Sequence, residues 1–282
     1  MGVLIRAGLA AVAVGALVWL ERRRPLRRTV EPALRRNVRN AVVAAMGGVA
    51  LRLLERPVTD RLTAMAVRHR IGLLQRFSMP KWAETLLAVV LLDYTLYLWH
   101  VLTHRVPLLW RFHIVHHADL DMDASTAVRF HVGELVISIG WRAGQVLLIG
   151  VPAGALDLWQ KLVIAAILFH HSNLRLPIGL ERVLVRGIVT PRMHGVHHSV
   201  VRAEADSNWS TILSVWDRLH GTLRLNVPQD EIEIGVPAFR SPAQLGLLQF
   251  LTIPLTASAR DLELADGALD ASVPFAVAAE SP

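Results

Sequence analysis

The sequence predicts an all-α protein in which about four polytopic membrane helices carry a cytosolic helical cap. Three observations lead there. Hydrophobic residues make up 53% of the 282, and the mean hydropathy of +0.40 is a membrane profile. Apolar stretches sit near both termini and in the middle of the chain. Arginines flank those stretches, and ten of the thirteen histidines gather in four clusters beside them.

The first twenty residues, MGVLIRAGLAAVAVGALVWL, are apolar apart from Arg6, and ERRRPLRR follows. A secretory signal carries its charge before the apolar run and a small-x-small cleavage site after it, so this segment reads as a retained anchor. A second run, Ala41 to Leu54 interrupted by Arg52, is short for a span. It predicts a tilted helix with a snorkelling Arg52 or a re-entrant segment. From Trp82 to Trp99 a full-length span contains Glu84 and Asp93, and a charge inside a span points by default to function.

A polar stretch, residues 100–132, separates this span from a helical hairpin formed by residues 135–156, which carry Arg142, and by LWQKLVIAAILF, which runs into His170 and His171. Closing the hairpin returns His171 to the face that residue 132 left. GLERVLVRGIVTP reads as an interfacial amphipathic helix. The tail from Thr256 has little to pack and is expected to be loosely ordered. The organisation expected is an anchor region over 1–79, a histidine-bearing domain over 80–225, and an extension over 226–282 with a partly disordered tail. Tryptophans 82, 99, 110 and 159 fall near span ends and read as interfacial anchors.

Charge is unevenly placed. Residues 1–76 hold 15 Arg and 4 acids, and residues 226–282 hold 2 Arg and 8 acids. Because the arginines flank apolar segments, anionic lipid headgroups are the expected partner, and nucleic acid is not. If residues 22–39 and the histidines share the cytoplasmic side, either two crossings intervene, which places Arg61, Arg68, Arg70 and Arg76 outside, or residues 41–79 lie at the interface. The absence of cysteine excludes disulfides, thiolate-held clusters and a cysteine nucleophile. No GxGxxG or P-loop pattern is present, so neither a dinucleotide nor ATP is indicated.

The histidine clusters are HVLTH (His100, His104), HIVHH (His113, His116, His117), FHHSN (His170, His171) and HGVHH (His194, His197, His198). On a helix, positions i, i+3 and i+4 share a face, so each cluster can direct its ring nitrogens at one point. A single HxxxH is commonly a satisfied interfacial pair, but two HxxHH patterns in one chain favour a metal site. Imidazoles without thiolate suit Zn, Fe, Cu or Ni. Eight or more exceed what one ion takes, which implies two ions. Four-helix di-iron proteins use Glu and ExxH ligands instead, and no such set is evident here.

The surrounding text adds a resemblance. Asp93 and Tyr97, LWRFHIVHH, TAVRFHVGE, FHHSNLRLP, TPRMHGVHHS and DSNWSTILSVWDRLHGT are similar to motifs of the fatty acid hydroxylase and sterol desaturase superfamily, bacterial branch. These are integral-membrane, non-haem di-iron oxygenases, and the resemblance covers about residues 82–225. Val132 replaces a usual Pro, Gly195 a usual Arg, His220 a usual Phe, and Trp209 and Ser210 stand at an aromatic and a Gly position. No motif histidine is lost, so the substrate end is the part left less defined.

The resemblance implies a ligand set of His100, His104, His113, His116, His117, His171, His194, His197 and His198 for two Fe, with O2 as co-substrate. His170 is expected to be a neighbour of the site. His131 and Glu134 match a motif that serves either as ligand or as support behind the ligands. Asp93 lies about 10 Å along its helix from His100, too far to share an ion. It is read either as a partner orienting an imidazole or as pairing with Arg142. Asn173 is read either as holding a metal-bound water, a catalytic role, or as capping a helix end. Trp216, Asp217 and Arg218 are expected to brace the cap.

The reaction implied is hydroxylation or desaturation of an unactivated C–H of a lipid in the bacterial inner membrane, with the histidines facing the cytosol. No flavin, haem-attachment or Fe–S signature appears, so electrons come from an external ferredoxin- or cytochrome-type donor and its reductase. Two competing readings are a zinc hydrolase, which usually needs a carboxylate base such as that of HExxH, and a non-catalytic metal-binding membrane protein.

Overall fold

The computed structural model describes residues 2–267. These residues form helices joined by turns, with isolated bridges in place of strands among them. In helix α1 (Gly2–Arg23), Leu9, Val12 and Trp19 are exposed. Helix α2 (Ala33–Ala50) continues through a π-helical turn, Leu51–Glu55, into α3 (Arg56–His69). Helix α4 (Lys81–Arg105) returns, and α6 (Val132–Ile149) and α7 (Ala153–His171) follow the polar stretch. Among the described residues α4, α6 and α7 are long and apolar enough to cross a membrane, so the chain is an integral membrane protein.

The course of α2–α3 follows α6. It begins beside the histidine cap, packs along α6, and ends where Gly72 meets Gly150 in the α6–α7 turn. It is therefore a more polar rod running beside α6 from the cap to the α6–α7 turn. Gly72 (φ 97°) and Gly150 (φ 79°) have left-handed backbone, and a Cβ on Gly72 would lie 2.3 Å from the Gly150 nitrogen. Only glycine permits that approach, which locks the far end together with Leu73 N–H donating to Leu148 O at 2.9 Å.

Helices α6 and α7 are joined by a short turn that returns His171 to the end Val132 leaves, as expected of the hairpin, but they do not pack along each other. Helix α4 packs against both of them instead. Ala88, Leu92, Val146, Ile149, Ala155, Leu156 and Trp159 make that shared core. Between membrane-spanning helices the alternative to this packing is lipid rather than water, so close van der Waals contact with α4 fixes the splay.

The cap contains α5 (Pro107–His117), α8 (Ile178–Leu184), α9 (Pro191–His197), α10 (Arg202–Ala205), α11 (Val215–Leu219) and α12 (Leu247–Thr256). Pro107 ends α4, since the residue before proline disfavours helical geometry, and begins α5 at its first turn. That break turns HxxxH and HxxHH to face each other.

Ile114, Val115, Val236, Leu245, Phe250, Ile253 and Leu264 form one core. The expectation of a loose tail from Thr256 is thus corrected as far as the described residues reach. Trp110 Nε1 donates to Leu262 O at 2.8 Å, and Ala265 exchanges backbone hydrogen bonds with residues 200 and 202. Residues 268–282 lie outside the described residues.

Two further expectations change. Part of the N-terminal arginine surplus is internal: buried Arg36 and Arg39 pair with Asp119 at 3.0 and 3.4 Å, and Arg39 also pairs with Glu31 at 3.0 Å. Asp119 sits below the usual carboxylate range, because Arg36, Arg129 and Arg39 outweigh a burial that raises it. Of the four tryptophans read as anchors, Trp82 is exposed. Trp159 is buried under the Arg142 guanidinium, and Trp110 packs on His104 and His117.

Candidate metal centre

Nine histidines converge in two groups. His100, His104, His113, His117 and His197 form one, and His116, His171, His194 and His198 the other; within each, one ring nitrogen per residue lies within 4.8 Å of all the others. The last turns of α4 supply His100 and His104, and the end of α5 supplies three more. The end of α7 supplies His171, and α9 with its C-cap supplies His194, His197 and His198. HxxHH divides between the groups in a regular way: the middle position of α5, His116, goes to the second group, and so do the first and last of α9.

The orientation of the rings is set from behind. His100 Nδ1 meets Trp209 O at 2.8 Å, His113 Nδ1 meets Glu134 Oε1 at 2.9 Å, and His197 Nδ1 meets Ser207 O at 2.8 Å. His171 Nδ1 meets Ile167 O at 2.9 Å, and His104 Nδ1 is 3.8 Å from Asp206. A carbonyl or carboxylate behind Nδ1 fixes the tautomer that leaves Nε2 as a lone-pair donor.

The inward nitrogens fit metal ions. Nε2 of His104, His113 and His197 and both nitrogens of His117 are buried without a hydrogen-bond partner, a costly arrangement unless something else takes the lone pairs. In the second group, Nε2 atoms approach in a chain, His116 to His171 at 3.1 Å, His171 to His194 at 3.1 Å, and His194 to His198 at 3.2 Å. Burial, then neighbouring imidazoles, push His116, His117, His194, His197 and His198 well below the ordinary histidine range, which keeps them neutral.

The remaining candidates separate. Glu134 stands behind His113. His170 is outside both groups: its Nδ1 meets Thr211 O at 3.1 Å and its ring lies 4.1 Å from that of His194. His131 lies in neither group. It caps α6, its Nδ1 accepting from Gly133 N–H at 2.9 Å and its Nε2 facing Leu251 O at 3.3 Å. Asp93 neither orients an imidazole nor pairs with Arg142. Its carboxylate accepts from the N–H groups of Ile212 and Leu213 and from Trp216 Nε1, at 3.3, 3.1 and 2.7 Å, pinning the loop ahead of α11 to α4. Asp217 accepts from Trp209 N–H and Ser210 N–H at 3.0 and 2.9 Å, and Arg218 donates to Val185 O.

Asn173 departs most from the catalytic expectation. Its Oδ1 accepts from Arg27 N–H at 2.8 Å and its Nδ2 donates to Arg27 O at 2.9 Å, so the whole amide is engaged by one backbone residue. The N–H of Asn173 donates to Glu21 at 3.0 Å. This residue therefore clips the segment after α1 to the end of α7 through both ends of its amide.

Sequence reading missed what that segment does. Arg27 is half-buried, and its Nη2 donates to Pro191 O at 2.8 Å and to Gln229 at 2.5 Å. A Cβ on Gly195 would lie 1.6 Å from Arg27 Nη2. The guanidinium occupies the space that a side chain at 195 would fill, so the unusual glycine inside HGVHH was the available signal. Burial and then Arg192 lower Arg27 to a pKa of about 9.

A cavity of about 830 Å³ opens from the histidines between the splayed helices. Residues of both groups line its inner end, among them His100, His113, His116, His171 and His194. Leu96, Trp99, Leu135, Val163 and Ile167 give it apolar walls. A space of this size accommodates a lipid chain.

Comparison with known proteins fits this geometry. Residues 85–222 match the model of the family described as fatty acid hydroxylase. The chain is 32% identical over 158 residues to ornithine lipid hydroxylase OlsE of Rhizobium tropici, covering 56% of this chain and 46% of that protein. It is 28% identical over 141 residues to alkylglycerol monooxygenase of Homo sapiens, covering 50% and 30% respectively. With cholesterol 25-hydroxylase of Homo sapiens it shares 29% identity over 143 residues, covering 49% and 50%. The match thus spans half or less of the length of each of these relatives. No solved structure matches.

Proposed function

We propose that the protein, whose residues 85–222 match the fatty acid hydroxylase family model, is a membrane-bound, O2-dependent lipid hydroxylase whose nine grouped histidines hold two iron ions. The observation that carries the reading is the junction of two histidine groups with one apolar cavity. His100, His104, His113, His117 and His197 would hold one ion, and His116, His171, His194 and His198 the other.

Iron bound there supplies reduction of O2 and oxidation of an unactivated C–H bond. The balance is R–H + O2 + two electrons + two protons giving R–OH + H2O, and the electrons come from an external ferredoxin- or cytochrome-type donor. The chain's own residues do the rest. Glu134, Trp209 O and Ser207 O hold Nδ1–H of three rings so that their Nε2 atoms face inward. Trp99, Leu135 and Ile167 exclude water and direct a chain to the histidines. The hydroxylase and monooxygenase activities of the relatives favour hydroxylation over desaturation. Placement in a bacterial inner membrane with the histidines cytosolic belongs to the same proposal.

The test is turnover of iron-loaded protein in membranes with a reductant under 18O2. Label from O2 in the lipid alcohol supports the proposal. A product carrying oxygen from water supports a metal hydrolase and overturns it.

A further inference from the structure

The cavity has a second, polar end that the metal chemistry does not use. We infer that Glu55, Arg142 and Gln160 form a subsite for the neutral hydrogen-bonding group, hydroxyl or amide, of a long-chain lipid whose tail runs to the histidines. The inference rests on the hydroxylase reading for its chemistry and on the cavity's own residues for its recognition.

All three side chains line the same cavity as the histidines. The π-helical turn Leu51–Glu55 interrupts α2–α3 beside the cavity, and such turns recur at functional sites. Glu55 accepts from Gln160 Nε2 at 3.2 Å and faces Arg142 Nε at 3.8 Å. Arg142 lies over Trp159 at 4.2 Å and bonds Gln145, but its Nε is buried without a hydrogen-bond partner. An arginine and a glutamate placed among membrane-spanning helices are costly, so a ligand role is favoured over decoration.

The charges select the ligand. The guanidinium and carboxylate neutralise each other, so a further anion would meet Glu55 and a further cation would meet Arg142. A hydroxyl or amide instead accepts from Arg142 Nε–H and donates to Glu55. The spacing selects where the chain is oxidised. Arg142 lies about 12 Å along α6 from Glu134, and Gln160 about 16 Å along α7 from His171, by helix rise. With C–C bonds near 1.5 Å, an extended chain covers that distance in roughly ten to thirteen carbons.

Binding of hexadecan-1-ol, hexadecanamide, palmitate and hexadecane to the detergent-purified full chain tests the subsite. The alcohol and amide should bind at least tenfold more tightly than hexadecane, and palmitate no more tightly than the alcohol. The advantage should fall to within twofold in Glu55→Gln and in the double variant Glu55→Met/Arg142→Met, which replaces the buried pair with apolar side chains and so leaves no lone charge that would unfold the protein. Palmitate binding best, or an advantage that survives both variants, would overturn the subsite. On iron-loaded enzyme the new hydroxyl should lie ten to thirteen carbons from the polar group, and one beside it overturns the inference. Intact binding selectivity without any O2-dependent turnover supports the subsite and counts against the hydroxylase reading alone.

Discussion

The two histidine groups are held by different means. In the five-histidine group, His100, His113 and His197 each have a carbonyl or carboxylate behind Nδ1, and His104 has Asp206 nearby. In the four-histidine group His171 alone is tied this way, and Nδ1 of His116, His194 and His198 is buried without a partner. That group depends instead on packing, such as the Phe130 ring stacked 4.5 Å from His116, and on the N-terminal segment that clamps α7 and α9 through Asn173 and Arg27. Hydrogen bonds behind the rings pre-organise the first site, and a distant strap frames the second. The second is therefore expected to release its metal first.

Removing a ligand has the largest expected effect. His171→Ala should lose one metal ion and all measurable turnover, while His170→Ala, which changes a ring outside both groups, should retain both metals and most activity. Equal losses in metal analysis would break the division into groups of five and four.

Glu134→Ala should act on the first group alone. Deleting the acceptor behind a ligating histidine typically costs 10–100-fold in metal affinity, and Glu134→Gln, which keeps an acceptor oxygen, should recover most of it. Chelator titration reads the difference. An equal loss of affinity at both sites would mean that Glu134 does not belong to one group.

Gly195→Ala should act on the strap. The new methyl group displaces the Arg27 guanidinium, and overpacking of this kind costs about 1–3 kcal/mol. Metal should leave the four-histidine group faster, with Tm lowered. An unchanged Tm would show that Arg27 swings aside freely.

Asn173→Ala is the mildest variant. It should cost ~1 kcal/mol for the lost hydrogen bonding, with turnover per metallated, folded enzyme nearly unchanged. A tenfold fall in turnover at unchanged stability would return Asn173 to a catalytic role.

Much of the site was legible in the sequence because metal ligation needs fixed spacing on helices, and HxxxH and HxxHH declare it. The separation of His171 from His170 came from the resemblance to the family's H-S-N motif, and His171 alone joins a histidine group. What could not be read were contacts between distant segments. Asn173 looked like a helix-end amide facing the metals because nothing local reveals that Arg27, far earlier in the chain, engages it. Asp93 is an analogous case: its partners at 212, 213 and 216 belong to a loop whose position depends on the whole cap. The run Ala41–Leu54 was ambiguous because its π-helical turn and its continuation into α3 depend on packing against α6. Arg36 and Arg39 read as lipid-facing because arginine beside an apolar run has that local signature, although Asp119 lies across the cap to receive them.

The most direct test of two separate metal sites is metal content during chelation of protein purified anaerobically from iron-replete cells. Close to two irons per chain are expected, one leaving before the other, with O2-dependent turnover lost in the first phase. A single iron per chain, or one tightly held zinc with turnover intact, would contradict it.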